Sequence, residues 1–305
     1  MLRYFLNRVG GAIPTLFLII AVSFFLVHAA PGGPFSTERN RPAEIEANLN
    51  RAYHLDEPVP QQFLRYLNGL LHGDFGPSFQ YKDFSVSELI ARGFPTSLML
   101  GSIAISAALL LGLSAGIWAA LRQNSAFDYG VMGVSMTGIA VPNFVVAPVL
   151  TLVFGLLLGW VPVGGWDHWS NIILPAIALG LPNVAAISRL MRGSMIETLR
   201  SNYVRTARAK GLREWTTLTR HAIRAAILPV ISYLGPAVAN IITGSVIIEQ
   251  IFSIPGIGRY FVQAALNRDY TLVMGVTIFF GVIIITCNLI TDLLYGFLDP
   301  RVRYD

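Results

Sequence analysis

Long runs of residues without a charged side chain are the feature that most constrains the fold of this chain. Six such runs, each of 19 residues or more, lie at 9–27, 93–121, 129–160, 168–188, 225–248 and 270–291. A helix needs about 20 apolar residues to cross the roughly 30 Å hydrocarbon core of a bilayer. Because that core offers no partner for the unpaired backbone groups of a sheet edge, the runs predict helices. We therefore predict an all-α membrane protein with six transmembrane helices.

The composition supports the same class. Charged residues make up 13% of the chain, whereas a soluble domain carries about 25%. The net charge of +5 alone would also suit a nucleic-acid-binding protein. With this apolar excess, however, charge asymmetry across a membrane explains it better, and we predict no nucleic-acid partner. The single cysteine, Cys287, lies in an apolar run and excludes an intrachain disulfide and a cysteine-based metal site.

The first apolar run resembles both a signal peptide and a membrane span. Arg3 and Arg8 precede it, and Val27-His28-Ala29 resembles a cleavage site. Its 19 residues exceed the 7–15 or so of a typical signal-peptide core. We therefore predict that it is an uncleaved transmembrane helix.

The distribution of basic residues predicts the orientation. Residues 189–224 contain nine basic residues against two acids. Other arginines precede the first span or follow the sixth, namely Arg3, Arg8, Arg301 and Arg303. With six spans, all these regions fall on one side, which the positive-inside rule makes the cytoplasm. The N- and C-termini are therefore predicted to be cytoplasmic, and the loop at 160–170, which has no Lys or Arg, lies outside.

The polar segment 31–92 differs from the rest of the chain. A first helix is expected near Pro42, where Glu44 and Glu46 follow, and a second begins at Pro58. Such a segment is too small to bury a core of its own. We predict a helical extracytoplasmic segment at 31–92, between a first helix at 1–30 and a membrane-embedded core at 93–305 that includes a cytoplasmic loop at 189–224.

Motifs for catalysis or nucleotide binding are absent from the sequence. Neither Lys82 nor Lys210 follows a glycine, so there is no P-loop for ATP. The five histidines show no ligand-like spacing, and no nucleophile elbow or zinc-protease motif is found. We therefore predict a non-catalytic chain that binds no metal or cofactor of its own.

Polar residues at membrane depth are costly and tend to face a cavity or a partner helix. A Pro-Asn pair occurs in two spans, at 142–143 and 182–183, and each proline frees a backbone carbonyl and permits a kink. The asparagines either join helices or face a solute path. Near the ends of their spans, Glu249 and Asp292 equally suit an interfacial structural role. The candidate path residues are Asn143, Asn183, Asn240 and Glu249.

Small residues recur in the second span. Gly112-x-x-x-Gly116 has the spacing that allows two helices to approach closely. Residues 101–108 are also rich in glycine, alanine and serine. We predict close packing of this span against another helix.

The basic loop contains a short helix with a distinctive arrangement. Ser201 is a candidate N-cap, small and apolar residues then alternate with basic ones, and Gly211 is predicted to end the helix. A second helical stretch is predicted from Trp215 to the fifth span. On physical grounds the short helix suits either a groove on another protein or lipid headgroups.

The sequence "RTARAKGL", followed by "HAIRAAILPV", resembles the cytoplasmic loop of ABC-importer permeases of the peptide and nickel family. Similar stretches run along nearly the whole chain, among them "HGDFGPSFQYKDFSVSELI", "IIEQIFSIPGIGRYF" and "LNRDYTLV". The broad permease pattern begins with Glu-Ala-Ala six residues before its glycine. Here that triplet is Arg205-Thr206-Ala207, and the later Leu-Pro is matched loosely by Leu228-Pro229.

The resemblance implies a MetI-like permease fold in a bacterial cytoplasmic (inner) membrane. It implies a second, homologous permease subunit, two P-loop ATPase subunits that bind ATP and Mg²⁺, an extracytoplasmic peptide-binding protein and an oligopeptide substrate. The loop would form the coupling helix, with ATPase-docking residues Ser201, Tyr203, Val204, Arg205, Ala207, Arg208, Lys210 and Gly211. The alternatives are a permease for dipeptides, glutathione or nickel, and a stand-alone carrier or channel.

Overall fold

The computed structural model describes residues 2–29, 54–81 and 83–298, which form helices and connecting turns without a β-strand. The helices are α1 (Leu2–Ala29), α2 (Val59–Leu71), α3 (Val86–Leu121), α4 (Ala126–Ala140), α5 (Asn143–Leu150), α6 (Ile173–Leu199), α7 (Asn202–Ala209), α8 (Leu228–Ile251), α9 (Ile257–Leu266) and α10 (Tyr270–Leu298). Short helical pieces extend them: a π-helical turn at Thr151–Leu157, a 3₁₀ turn at Trp169–Ile172, and Glu214–Thr216, Thr217–Ala222 and Ile223–Ala226 before α8. The prediction of an all-α chain is confirmed.

Within the described ranges, five helices are long and apolar enough to cross a membrane, namely α1, α3, α6, α8 and α10. The third apolar run is a broken helix rather than a straight span, because α4 and the α5 segment are bent by 105°. Val141, between them, has the extended backbone that a following proline imposes, with φ −89° and ψ 119°. The six-span prediction therefore holds when the bent pair counts as one span.

Two helices continue beyond the apolar runs that predict them. The start of α3 lies at Val86 rather than residue 93, since Ser85 and Glu88 form a capping box. The Ser85 hydroxyl accepts the Glu88 N–H at 3.2 Å, and Glu88 Oε2 accepts the Ser85 N–H at 2.9 Å. Likewise, α6 continues to Leu199, so the loop predicted from residue 189 begins only after the helix ends.

The core of the chain is the close packing of α3 against α6. A Cβ atom at Gly116 would lie 2.6 Å from the Ser188 carbonyl oxygen, and one at Gly112 would lie 2.9 Å from the Ile187 Cβ. Neither position has room for a side chain. The close packing predicted from Gly112-x-x-x-Gly116 is confirmed.

Outside the apolar spans, α2 packs on the end of α1. The Phe63 ring centroid lies 5.1 Å from that of Phe24 and 6.2 Å from that of Phe17. This helix follows Pro58 directly, as predicted. The other predicted helix, near Pro42, lies outside the described residues.

Candidate functional site

The short basic helix α7 begins where the sequence predicts, directly after Ser201. Ser201 has the extended backbone of an N-cap residue, with φ −69° and ψ 153°. Its hydroxyl donates backwards to the Thr198 carbonyl at 2.6 Å and caps no N–H group of α7. The position predicted for the N-cap is correct, but the side-chain cap is not formed.

One face of α7 fixes it to the end of α6. Val204 and Ala207 are 0% and 6% exposed. They lie three residues apart and therefore share a face of the helix. Val204 belongs to an apolar cluster with Met191 and Met195, which lie in the last turns of α6. Through this cluster α7 rests on the helix that precedes it.

The other face of α7 and the segment after it are exposed. The exposed side chains combine aromatic, apolar and basic groups: Tyr203, Arg205, Arg208, Lys210, Leu212, Arg213 and Trp215. Trp215 is 76% exposed, which is unusual for so large an aromatic residue. A surface of this composition suits contact with another protein or with the polar boundary of a bilayer.

A Schellman turn ends α7 at Gly211. The Gly211 N–H donates to the Arg208 carbonyl at 2.9 Å, and the Leu212 N–H donates to the Ala207 carbonyl at 3.3 Å. Gly211 has a φ of +75°, which only glycine adopts freely. A Cβ atom there would meet nothing within 4 Å, so backbone conformation rather than space requires the glycine. The elbow predicted at Gly211 is present.

An ion pair across this turn was not predicted. Arg208 Nη2 lies 2.5 Å from Glu214 Oε1, and Arg208 Nε lies 3.2 Å from Glu214 Oε2. The hydrogen bonds from Arg208 lower the pKa of the Glu214 carboxyl, and the same contact raises the pKa of Arg208. Of the predicted docking residues, Arg208 therefore already has a partner within the chain.

The end of α6 also contacts the link between α3 and α4. Arg200 Nη2 donates to Gln123 Oε1 at 3.1 Å. Because Arg200 and Ser201 alone separate α6 from α7, this contact ties the base of α7 to a second part of the bundle.

Of the four candidate path residues, Asn143 and Asn240 remain accessible. Asn143 is the half-buried first residue of α5, directly after the bend at Pro142. Asn240 is exposed on α8. Both positions are compatible with a solute path.

Asn183 is buried and joins two helices. Its Oδ1 accepts the Tyr233 hydroxyl of α8 at 3.0 Å, and its amide donates to the Leu179 carbonyl at 3.4 Å. In a helix the carbonyl freed by Pro182 is that of Ala178, so Asn183 does not bond to it. The structure therefore gives Asn183 a helix-joining role, which was the alternative to solute contact.

Glu249 is fully buried at the end of α8. Its Oε1 accepts the Ser245 hydroxyl at 2.6 Å, and its Oε2 accepts the Gly258 N–H at 2.8 Å. Gly258 is in the first turn of α9, where a carboxyl group interacts favourably with the helix dipole. Both oxygens are engaged, so these contacts explain Glu249 as a structural residue and do not support a place for it in the path.

Hydrogen bonds of Asp269 and Ser97 join parts of the chain that are distant in sequence. Asp269 accepts hydrogen bonds from the Ser78 hydroxyl and from the N–H groups of Gln80 and Leu272, the last two at 3.2 and 3.1 Å. Ser97 accepts the Ile257 N–H at 2.9 Å. These partners come from the stretches that carried the family resemblance, and their separation in sequence left no local pattern from which to predict the contacts.

No group of three or more metal-ligating side chains comes together among the residues that the structure describes.

Comparison with known proteins decides the family. The model described as "Binding-protein-dependent transport system inner membrane component" matches residues 112–304, and the model of its N-terminal part matches residues 1–101. The chain belongs to this family. The predicted ABC-importer permease is thereby confirmed, as is its membrane-spanning character.

Named relatives of this inner membrane component are permease proteins. This chain is 52% identical over 306 residues to the oligopeptide transport system permease protein OppB of Escherichia coli K12, and the match covers all of both chains. OppB of Haemophilus influenzae is also 52% identical over 306 residues, again covering all of both chains. The dipeptide transport system permease protein DppB of Bacillus subtilis is 42% identical over 303 residues, which cover 99% of this chain and 98% of that protein. These relatives agree with a transport subunit rather than an enzyme.

Solved structures show the fold. The inward-facing MetNI methionine ABC transporter matches with a TM-score of 0.56 at 13% identity, over 69% of this inner membrane component and 96% of that chain. An amino acid ABC transporter matches with a TM-score of 0.53 at 17% identity, and the match covers 71% of this chain and 95% of that chain. The predicted MetI-like permease fold is confirmed.

Proposed function

We propose that the chain is the membrane-spanning permease subunit of an ATP-driven importer that carries oligopeptides across the bacterial cytoplasmic membrane. The observation that carries this proposal is the 52% identity, over the full length of both chains, to oligopeptide permease proteins of two bacterial species. Both family models and the all-helical fold support the same class.

Coupling to ATP is assigned to α7. Its face with Val204 and Ala207 is buried, and Val204 packs in the cluster with Met191 and Met195 of α6. The exposed face, with Tyr203, Arg205 and Lys210, is free to enter a groove on an ATPase subunit. Two P-loop ATPase subunits would bind ATP and Mg²⁺, and this chain would contribute no nucleotide site. ATP favours one arrangement of the assembly by binding it more tightly, and α7 passes the resulting movement to the spans.

The remaining partners follow from the same proposal. A second, homologous permease subunit would complete the solute path, and an extracytoplasmic peptide-binding protein would deliver the peptide. The N- and C-termini and α7 lie in the cytoplasm, which the basic residues of 189–224 support. The polar cluster around Asp269 and Glu249 then lies at the outer end of the bundle, together with α2 and α9.

Within this chain we assign the solute path to Asn143 and Asn240. Oligopeptides differ in their side chains, so a path that serves many of them has to contact the common backbone and bind weakly. Neutral amide groups can donate to and accept from a peptide backbone without attracting a particular charge. This leaves selectivity mainly to the binding protein.

Reconstitution tests the proposal. The complete importer, with its second permease, both ATPases and the binding protein, is placed in liposomes, and uptake of labelled tripeptides to pentapeptides is measured. We expect uptake that needs ATP and the binding protein, and that stops when the P-loop lysine of the ATPases is replaced. Uptake by this chain without ATPase subunits would instead identify a stand-alone carrier or channel and overturn the proposal.

A dipeptide permease is the second candidate, favoured by the 42% identity to DppB of Bacillus subtilis. Competition separates the two. If unlabelled pentapeptides leave labelled dipeptide uptake unchanged while unlabelled dipeptides abolish it, the substrate is a dipeptide. Nickel and glutathione, included as further competitors, test the remaining alternatives in the same assay.

A further inference from the structure

A buried ion pair joins α4 to α6. Arg192 Nε lies 2.5 Å from Asp128 Oδ1, and Arg192 Nη2 lies 2.7 Å from Asp128 Oδ2. The Asp128 side chain is 1% exposed and that of Arg192 is 25% exposed. The Asn124 N–H also donates to Asp128 Oδ2 at 2.9 Å. The carboxylate is therefore held in one position by three donors.

Such a pair is not explained by stability alone. Removing two charges from water costs several kcal/mol per ion, and an apolar pair of similar volume is often as stable or more so. A two-pronged contact between a guanidinium and a carboxylate does, however, fix the relative position of two helices more strictly than apolar packing does.

The contact between α4 and α6 continues along both helices. The Ser135 and Ser188 hydroxyls form a buried hydrogen bond of 2.7 Å. Farther along, a Cβ atom at Gly138 would lie 3.3 Å from that of Ala185. The residue numbers of successive contacts increase along α4 and decrease along α6, so the two helices run antiparallel. Ion pair, hydrogen bond and close packing together join them over most of the length of α4.

This joined pair links α7 to the bend. At one end, Met191 and Met195 flank Arg192 on α6 and share an apolar cluster with Val204 of α7. At the other end, α4 stops at Ala140, directly before the 105° bend that leads to Asn143 and α5. A displacement of α7 therefore has a continuous series of contacts through α6 and α4 to the bend.

We propose that Asp128 and Arg192 are positioning residues that make α4 move with α6, so that movement of α7 reaches the bent helix pair. This inference rests on the proposed function, in which α7 is the element that an ATPase displaces. The pair transmits movement and does not contact the solute.

The experiment uses the complete importer in liposomes and measures peptide imported per ATP hydrolysed. We expect Asp128→Asn to retain ATP hydrolysis and to lower this ratio by about tenfold, the size expected when a coupling contact is lost. Glu57→Gln is the matched control, because it removes a carboxylate from the pair between Glu57, which precedes α2, and Arg65 of α2, away from this contact. It should leave the ratio unchanged.

A crosslink tests the same inference without removing the charge. Since the Ser135 and Ser188 hydroxyls lie 2.7 Å apart, cysteines at both positions, in a Cys287→Ala background, are within reach of oxidation to a disulfide. If α4 and α6 move as one unit, the oxidised variant imports peptide within about twofold of its reduced form, as expected when no mobile contact is blocked. The same crosslink should restore the ratio of the Asp128→Asn variant.

The outcomes separate the two proposals. Absence of import by the unmodified complex would contradict the proposed function itself. Normal import by that complex, with import lost on oxidation of the cysteine pair, would overturn the inference, as would an unchanged ratio in a folded Asp128→Asn variant. If Asp128→Asn does not fold, the crosslinked variant alone decides.

Discussion

Arg208 and Glu214 form a two-contact ion pair across the turn at Gly211, with their closest atoms 2.5 Å apart. The pair closes a loop between the end of α7 and the helical segment that leads to α8. The turn that follows α7 therefore combines Schellman hydrogen bonds with a side-chain contact that bridges it.

Replacement of Gly211 should uncouple the importer. Gly211→Pro removes the N–H donated to the Arg208 carbonyl and forces a negative φ in place of +75°, so α7 loses its end geometry. We expect ATP hydrolysis to persist while import falls to background. Gly193→Ala is the control, because Gly193 is an exposed helical glycine where a Cβ atom meets nothing within 4 Å. Full import by Gly211→Pro would contradict the docking assignment of α7.

The two faces of α7 should respond differently to a large side chain. Ala207→Trp adds an indole where the residue is buried, and overpacking of this kind costs about 1–3 kcal/mol. Ala209→Trp adds the same group on the exposed face. Thermal unfolding of the purified chain in detergent should show a lower midpoint for Ala207→Trp alone. Equal midpoints for the two variants would mean that α7 is not packed as described.

The ion pair between Glu214 and Arg208 should not contribute to the pH dependence of import near neutral pH. The hydrogen bonds from Arg208 lower the pKa of the Glu214 carboxyl below its ordinary value, so the pair is fully formed above that ordinary value and is lost only as the pH falls through the lowered pKa. Import by the unmodified protein and by Glu214→Gln should therefore differ by a constant factor between pH 6 and pH 8. A ratio that changes across this interval would show that another titrating group controls the turn.

The turn between α8 and α9 should tolerate no side chain at Gly256. A Cβ atom at Gly256 would lie 2.6 Å from Ser97 Oγ and would also overlap the Glu249 carboxyl group. We expect Gly256→Ala to destabilise the chain by about 1–3 kcal/mol, the usual cost of inserting a methyl group into a filled site. Gly10→Ala, where a Cβ atom meets nothing within 4 Å, is the control. Thermal unfolding in detergent provides the comparison, and equal midpoints would contradict the packing around Glu249.

The apolar runs of the sequence predict which segments cross the membrane, but they do not predict where the helices begin and end. Residues 189–199 contain arginines and a glutamate and were assigned to a loop, yet their backbone continues α6 because such side chains are good helix formers outside the membrane. The early start of α3 was readable from Ser85 and Glu88, whose spacing is that of a capping box. Boundary errors of this kind come from local patterns that hydrophobicity does not contain.

Long-range polar contacts could not be predicted from the sequence. The helix start at Ser201 and the helix end at Gly211 are predicted at the right positions because both residue types favour the backbone of a helix terminus, although the Ser201 hydroxyl caps no N–H group. Asp128 and Arg192, 64 residues apart, form an ion pair only because α4 folds back along α6. Glu249 was expected at an interface or a solute path, and its actual partners depend on a turn whose geometry the sequence does not specify.

The break at Val141 and Pro142 has a consequence for where water can enter. At the end of α4 the last carbonyl groups lack the N–H groups of a following turn. At the start of α5 the Pro142 carbonyl accepts the N–H groups of Val145 and Val146, so the N–H groups of the two residues before them have no helical acceptor. Lipid tails cannot hydrate such groups, so irregular backbone within an apolar run has to lie against protein or beside a water-filled space. The bend therefore marks a point in an otherwise apolar segment that is either hydrated or covered by protein, and Asn143 is the first residue of the helix that follows it.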